Sequence, residues 1–224
     1  MADFVIIVAG GSGSRMAADK PKQFLLLAGK PLLMHTIAVF HTYSPSLKII
    51  LTLPEDHIDY WNKLCLEYSF NIIHTIVQGG QTRFHSVQNA LSVIDDESGI
   101  VAIHDGVRPL VNQQTIRNCF DIAYKENAVI SVVPVFESLR IKNDKGSKPV
   151  DREQFLIVQT PQVFKTSVIK EAYLQVYESS FTDDASVVER AGYQIEICEG
   201  NRENIKITTA SDLLVAKSIL SSRS

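Results

Sequence analysis

Short runs of β-branched and apolar residues alternate along the chain with segments whose apolar positions recur at helical spacing. That rhythm predicts an α/β fold, a mainly parallel sheet covered on both faces by helices, because such a sheet buries its strands on both sides and gives each helix one apolar stripe. Strands are predicted over residues 4–8, 48–53, 72–77, 100–104, 129–133 and 194–198, with helices in the gaps. Pro31 suits the first turn of a helix running to about Tyr43, where a missing N–H has no intrahelical partner to lose. Phe84, Val87, Leu91 and Ile94 make one apolar stripe on a helix after Gly80. Thr209 and Asp212 have capping-box spacing ahead of the apolar residues 213–220.

One stretch breaks the alternation. Residues 134–160 hold paired short apolar runs around a polar, lysine-rich turn at 143–149 that contains Gly146. This reads as a protruding β-arm. A hairpin at the edge of a domain exposes backbone donors and apolar side chains, so its natural use is packing on a second copy, and a homodimer is expected. No internal repeat or low-complexity segment interrupts the rest. Residues 1–224 are therefore read as a single Rossmann-like domain with the arm as a subregion.

Composition narrows the choice of class. A chain of 224 residues suits one α/β domain with an appendage, and 45% hydrophobic with 21% charged residues is ordinary for a globular protein. The apolar run at residues 4–9 is far too short to cross a bilayer, and Asp3 stands where a signal peptide would be basic. A cytoplasmic protein with no membrane partner is expected. Cys65, Cys119 and Cys198 lie far apart with no CxxC spacing, which reads as buried thiols. The net charge of −3 leaves no broad basic face for nucleic acid, so an anionic ligand needs a local cluster. The first thirty residues supply one, with Arg15, Lys20, Lys22 and Lys30 against Asp3 and Asp19.

The first predicted strand runs into Ala9-Gly10-Gly11-Ser12-Gly13-Ser14-Arg15-Met16, a turn whose glycines let backbone N–H groups approach a phosphate closely. It lacks the third glycine of the dinucleotide fingerprint and the Gly-Lys-Ser/Thr of a Walker loop, which disfavours a nicotinamide dehydrogenase. Gly79-Gly80 forms a second close-approach turn. Asp105 follows the strand predicted at 100–104, at the carboxyl edge where open α/β sheets hold ligands. There it suits a Mg²⁺ that bridges phosphate oxygens, or it orients Arg108 or a substrate hydroxyl, or it starts a helix. His104 reads as packed or hydrogen-bonded, and the other histidines lack zinc-ligand spacing.

These strings carry a resemblance. The glycine turn followed by Pro21-Lys22-Gln23-Phe24 resembles the signature of sugar-nucleotide-type nucleotidyltransferases. Within that group the chain is similar to the 2-C-methyl-D-erythritol 4-phosphate cytidylyltransferases of the non-mevalonate isoprenoid pathway. The likeness continues through Gly79-Gly80-Gln81-Thr82-Arg83-Phe84-His85-Ser86, His104-Asp105-Gly106-Val107-Arg108-Pro109, Val150-Asp151-Arg152, Gln159-Thr160-Pro161-Gln162, Thr182-Asp183-Asp184-Ala185-Ser186 and Asn204-Ile205-Lys206-Ile207-Thr208. Gly106-Val107 stands where relatives often carry Ala-Ala.

The resemblance implies CTP and a small phosphorylated polyol as substrates. It makes Arg15, Lys22 and Lys206 the catalytic cations, with Lys206 reaching the α-phosphate. It assigns Ala9, Gly10, Gly11, Ser12, Gly13, Gly80, Gln81, Arg83 and Ser86 to the nucleotide. Asp105, Arg108, Arg152 and Thr182 fall on the acceptor side, as do Ser138, Arg140 and Thr160 with weaker signals. Thr182 also reads as a helix N-cap. The chemistry is consistent: a phosphate monoester with its second pKa near about 6 is already a dianionic nucleophile, so no general base is needed. What the reaction demands is cations that stabilise charge building on the α-phosphate. Ribitol 5-phosphate is the alternative acceptor, and a non-catalytic nucleotide-binding module is the reading from another class.

Overall fold

The computed structural model describes residues 2–10 and 21–223. β1 (Phe4–Val8) sends Val5 and Ile7 to one apolar layer and Phe4 and Ile6 to the other, as the two-residue period of a strand requires. Two short strands, β2 (Leu26–Leu27) and β3 (Lys30–Pro31), pair antiparallel and lead into α1 (Leu32–Tyr43). Then come β4 (Lys48–Leu53), α2 (Glu55–Glu67), β5 (Thr75–Gln78), α3 (Arg83–Ser92), β6 (Ile100–Asp105), α4 (Gln113–Lys125) and β7 (Ala128–Pro134). The arm contributes β8 (Arg140–Asn143) and β9 (Gly146–Pro149). The chain ends through β10 (Leu156–Lys165), α5 (Thr166–Ala172), α6 (Asp184–Arg190), β11 (Glu196–Glu199) and α7 (Ala210–Ser222).

The main sheet has the order β11-β7-β10-β6-β1-β4-β5 and is parallel except at β10, which runs antiparallel to both neighbours. Phe40 of α1, Trp61 of α2 and Phe120 of α4 fill one apolar layer. Phe84 of α3, Ile169 of α5 and Val188 of α6 fill the other. A smaller cluster of Leu27, Leu32, Leu110, Ile207 and Ala216 seats α7 beside the carboxyl edge of the sheet. The α/β class and the Rossmann-like sheet read from the sequence are what the fold shows.

Several boundaries differ for physical reasons. The strand expected at 72–77 begins only at Thr75, because His74 bonds back to the Ile72 carbonyl at 2.8 Å and Ile73 is 92% exposed. Pro31 is the residue before α1 rather than its first, and Ile94 lies beyond the end of α3 yet stays buried. The capping box of Thr209 and Asp212 is present. Cys119 and Cys198 are buried as expected, but Cys65 is only half-buried.

The largest correction concerns the arm. Its hairpin pairs Arg140 with Pro149 and Asn143 with Gly146, so the turn is confined to Asp144-Lys145. Residues 156–160 do not belong to the arm, because β10 enters the main sheet and pairs Leu156 with Pro134. Pro161 hid this strand, since proline disfavours the middle of a sheet. It is tolerated because the ladder with β7 shifts register between Val158 and Gln162, where its missing N–H breaks no pairing.

Candidate active site

β1 and β6 are parallel neighbours in register Val8 to Asp105, so the chain leaves both at the same edge of the sheet. The crossing is tight: Gly106 donates to the Val8 carbonyl at 2.9 Å, and a side chain there would stand 3.0 Å from the Ala9 Cβ. Ala9 and Gly10 are thus set beside Asp105. Lys22 follows Pro21 on a single 3-10 turn that is pinned twice. Phe24 is buried against Trp61 and Tyr60, and the Gln23 amide donates to the Ala9 carbonyl at 2.9 Å. The residues between, including Gly11, Ser12, Gly13, Arg15 and Lys20, lie outside the described residues.

The second glycine turn is closed by Ser86. Its hydroxyl accepts from Gly80 N–H and donates to the Thr82 carbonyl, both at 3.0 Å. A Cβ on Gly80 would lie 2.3 Å from that of His85, so only glycine fits the start of α3. Ser86 therefore builds the turn while also lining the cleft above it.

Asp105 is the electrostatic centre, 6% exposed at the end of β6. Its carboxylate meets Arg108 Nε at 3.1 Å, Lys206 Nζ at 3.1 Å and Arg83 Nε at 3.8 Å. Burial alone would raise its pKa, but the charges of Arg83, Lys206 and Arg108 outweigh that and hold it well below the usual carboxylate range. Arg83 is itself anchored from below by Asp184, fully buried at the start of α6, through bonds of 2.8 and 2.5 Å. The Tyr173 hydroxyl donates to the same carboxylate at 2.6 Å.

Lys206 arrives from the far end of the chain on a segment held at two points. Asn204 donates to the Thr160 carbonyl at 2.8 Å and accepts from Arg108 at 2.9 Å, and Ile207 donates to the Val107 carbonyl at 3.0 Å. His104 is fully buried and works as a spacer. Its Nε2 must carry the proton, since it faces the Arg108 carbonyl at 2.9 Å, which leaves Nδ1 to accept from Thr160 Oγ1 at 3.1 Å. That hydroxyl in turn accepts from Asp105 N–H at 3.1 Å.

Adjoining clefts open over this centre. The first gathers Ala9, Gly10, Lys22, Gly80, Gln81 and Ser86 with Arg83, Asp105 and Lys206. The second shares those last three residues and adds Arg108, Thr160 and Thr182. A third runs from Arg108 and Lys206 to the foot of the arm. Thr182 is not the N-cap of α6; Asp183 takes that place in a capping box with Ser186, and Thr182 faces the second cleft. Ser138, Arg140 and Arg152 line none of the three. They sit exposed on the arm, where Arg140 bonds Ser147 across the hairpin and Arg152 donates to the Phe136 carbonyl.

Residues that sequence reasoning left without a role include Asp184, Tyr173, Gln159 and Asn204. Asp184 and Arg83 are 101 positions apart, so no local pattern could pair them. Among the described residues no three His, Cys, Asp or Glu side chains converge as a metal centre. Asp105 is the carboxylate that lines both the first and second clefts.

Comparison with known proteins places this geometry. The model of the 2-C-methyl-D-erythritol 4-phosphate cytidylyltransferase family matches residues 4–222. The protein of that name from Bacteroides thetaiotaomicron is 50% identical over 220 residues, covering 98% of this chain and 100% of the relative. Its counterpart from Porphyromonas gingivalis is also 50% identical, covering 98% of each chain. Among solved structures, the Francisella tularensis 2-C-methyl-D-erythritol 4-phosphate cytidylyltransferase is 31% identical with a TM-score of 0.80, covering 97% of this chain and 99% of that one. The structure of the same name from Thermus thermophilus is 29% identical with a TM-score of 0.80, covering 99% of this chain and 100% of that one.

Proposed function

This chain belongs to the 2-C-methyl-D-erythritol 4-phosphate cytidylyltransferase family, and on that premise we propose that it transfers the cytidylyl group of CTP to 2-C-methyl-D-erythritol 4-phosphate, releasing pyrophosphate. The observation that carries the reading is the place of Lys206 and Asp105 on the wall shared by two clefts, one with Gly10, Lys22 and Gly80 and one with Arg108, Thr160 and Thr182. A transfer between two anions needs this arrangement: each substrate in its own cleft, and a cation where they meet.

In this reading CTP occupies the first cleft. Gly80, Gln81 and the Ser86-closed turn face its base and ribose, and Lys22 with Arg15 grips the triphosphate. Arg83 is better assigned to holding Asp105 in place than to reading the base, given its bidentate bond to Asp184. The acceptor lies in the second cleft with its phosphate toward Lys206. As a dianion it attacks the α-phosphate in line without a general base, and the cations stabilise the charge that builds there. Ribitol 5-phosphate is not favoured, since the relatives at 50% identity carry the methylerythritol name.

We also propose a Mg²⁺. Magnesium prefers one or two carboxylates with waters and substrate phosphates, and Asp105, the carboxylate among the described residues that lines both the first and second clefts, would hold it. The ion would screen the triphosphate. A homodimer is proposed on the exposed apolar side chains of Ile141 and Phe155 along the arm and at its foot, from which Arg152 would reach the neighbouring site. Light scattering at micromolar concentration that returned a single-chain mass would rule this out. Free cysteines fit a reducing cytoplasm. Separately, no helix among the described residues is long and apolar enough to cross a membrane.

The function is tested by pyrophosphate release with CTP and Mg²⁺ against methylerythritol phosphate, ribitol phosphate and no acceptor. Release is expected with the first alone. Preference for ribitol phosphate would keep the chemistry and overturn the acceptor.

A further inference from the structure

Lys206 lines all three clefts, and the third has no part in the proposed transfer. It shares Arg108, Gln159 and Lys206 with the second cleft and runs from them to Phe136, Glu137 and Arg202. Among the described residues it shares only Lys206 with the first cleft. Whatever occupies it is therefore continuous with the acceptor rather than with the nucleotide.

Arg202 is the unusual residue there. Its guanidinium carbon lies 3.7 Å from the centroid of the Phe136 ring. A guanidinium stacked on an aromatic face has that face covered while its in-plane N–H donors still point outward. Among the described residues Arg202 makes no ion pair, whereas Arg108 and Lys206 are both engaged by Asp105. The backbone around it is fixed as well. The Gln159 amide donates to the Asn201 carbonyl at 3.1 Å and Asn201 donates to the Leu110 carbonyl at 3.0 Å, while Asn204 is tied to Thr160 at 2.8 Å. A cation is thus held in a set orientation beside the acceptor cleft, with donors available.

We propose that Arg202 is a specificity-determining residue for the acceptor, its outward edge taking an anionic oxygen of the phosphorylated polyol while Phe136 holds the guanidinium in place. This rests on the reading of the second cleft as the acceptor's. It predicts that the chain selects a phosphorylated acceptor partly through a residue outside the motifs that mark the rest of the site.

The test is steady-state kinetics on the full chain, varying methylerythritol phosphate at saturating CTP and then the reverse. Arg202→Met keeps a long stem over Phe136 but loses charge and donors. Its KM for the acceptor is expected to rise about five- to twentyfold, as for a charge-assisted hydrogen bond lost at a partly exposed site. Phe136→Leu frees the guanidinium and is expected to raise the same KM about two- to fivefold. In both, kcat and the KM for CTP stay within about twofold. A merely structural role would lower the active fraction, and so kcat, while leaving KM alone. Wild-type turnover with an unaltered acceptor KM in Arg202→Met overturns the inference and leaves the function standing; a wild type inert toward methylerythritol phosphate overturns both.

Discussion

Asp105 and Arg152 are both charged residues expected on the acceptor side, yet their surroundings are opposite. Asp105 is buried at the end of a central strand, gripped by cations from three separate parts of the chain. Arg152 is exposed on the arm, and its guanidinium donates to the backbone carbonyl of Phe136. The difference teaches where each region gets its order. The centre around Asp105 is assembled by the chain's own long-range packing, so its residues carry stability and chemistry together. The arm is shaped by local pairing, so its residues can be lost without disturbing the fold, and any chemistry they have depends on what the arm meets.

The sharpest way to expose this contrast is to break the buried pair beneath the centre. Asp184→Ala takes its bidentate partner from the half-buried Arg83, leaving it only the 3.8 Å contact with Asp105, and removes the acceptor of the Tyr173 hydroxyl. A loss of about 3–5 kcal/mol in denaturant unfolding is expected, as for other buried pairs cut on one side. A loss below about 1 kcal/mol would mean that Asp105 and solvent satisfy Arg83 without Asp184 and that the centre does not depend on this pair.

Lys22→Ala separates chemistry from stability within the same region. The side chain lines the first cleft, and turnover is expected to fall about 10²–10³-fold, as on removing one preorganised cation from a transition state. The unfolding midpoint should change little, because the burial of Phe24 and the Gln23 amide bond to the Ala9 carbonyl remain to secure that turn. Near-normal turnover would remove Lys22 from the catalytic set.

What the sequence disclosed follows the same division. Strands that alternate in hydrophobicity and glycines at tight crossings are local signals, and they located β1, β4, β6 and the Gly79-Gly80 turn with small errors. β10 was hidden because Pro161 reads as a strand breaker until the register shift that accommodates it is seen. Asp184 stood in plain view in its motif, but a bidentate bond to a residue 101 positions away leaves no trace in spacing. The N-cap reading of Thr182 fails for a related reason, although its acceptor-side reading fits the second cleft that it lines: Thr and Asp are both good caps, and only the path of the chain shows that Asp183 is the one used.

His104 gives the centre a dependence on pH. Burial pushes its imidazole down to about 4, against the pull of the Arg108 carbonyl, from an ordinary value of 6.5. The folded protein therefore keeps it neutral where the unfolded chain would protonate it. Its contribution is complete above the unfolded value and is lost as pH falls from there toward the folded one. Between about pH 7 and pH 4 the wild type should lose about 3 kcal/mol more unfolding free energy than His104→Gln. Parallel pH profiles for the two proteins would show that His104 is not the buried neutral spacer inferred from its bonds.

The smallest effect is expected at the other pole. Arg140 donates to the Ser147 hydroxyl at 2.8 Å and to its carbonyl at 2.9 Å, across a hairpin whose strands are exposed throughout. Arg140→Ala removes both bonds, but water takes over at once, so stability should change by no more than about 0.5 kcal/mol. Measured by chemical denaturation at several protein concentrations, the result also tests the arm's use. If the loss exceeds about 1 kcal/mol and grows as the protein is concentrated, the hairpin is buried in an assembly, because only association makes stability depend on concentration. In that case Arg140 joins Asp105 as a residue ordered by long-range packing, with the packing supplied by a second chain.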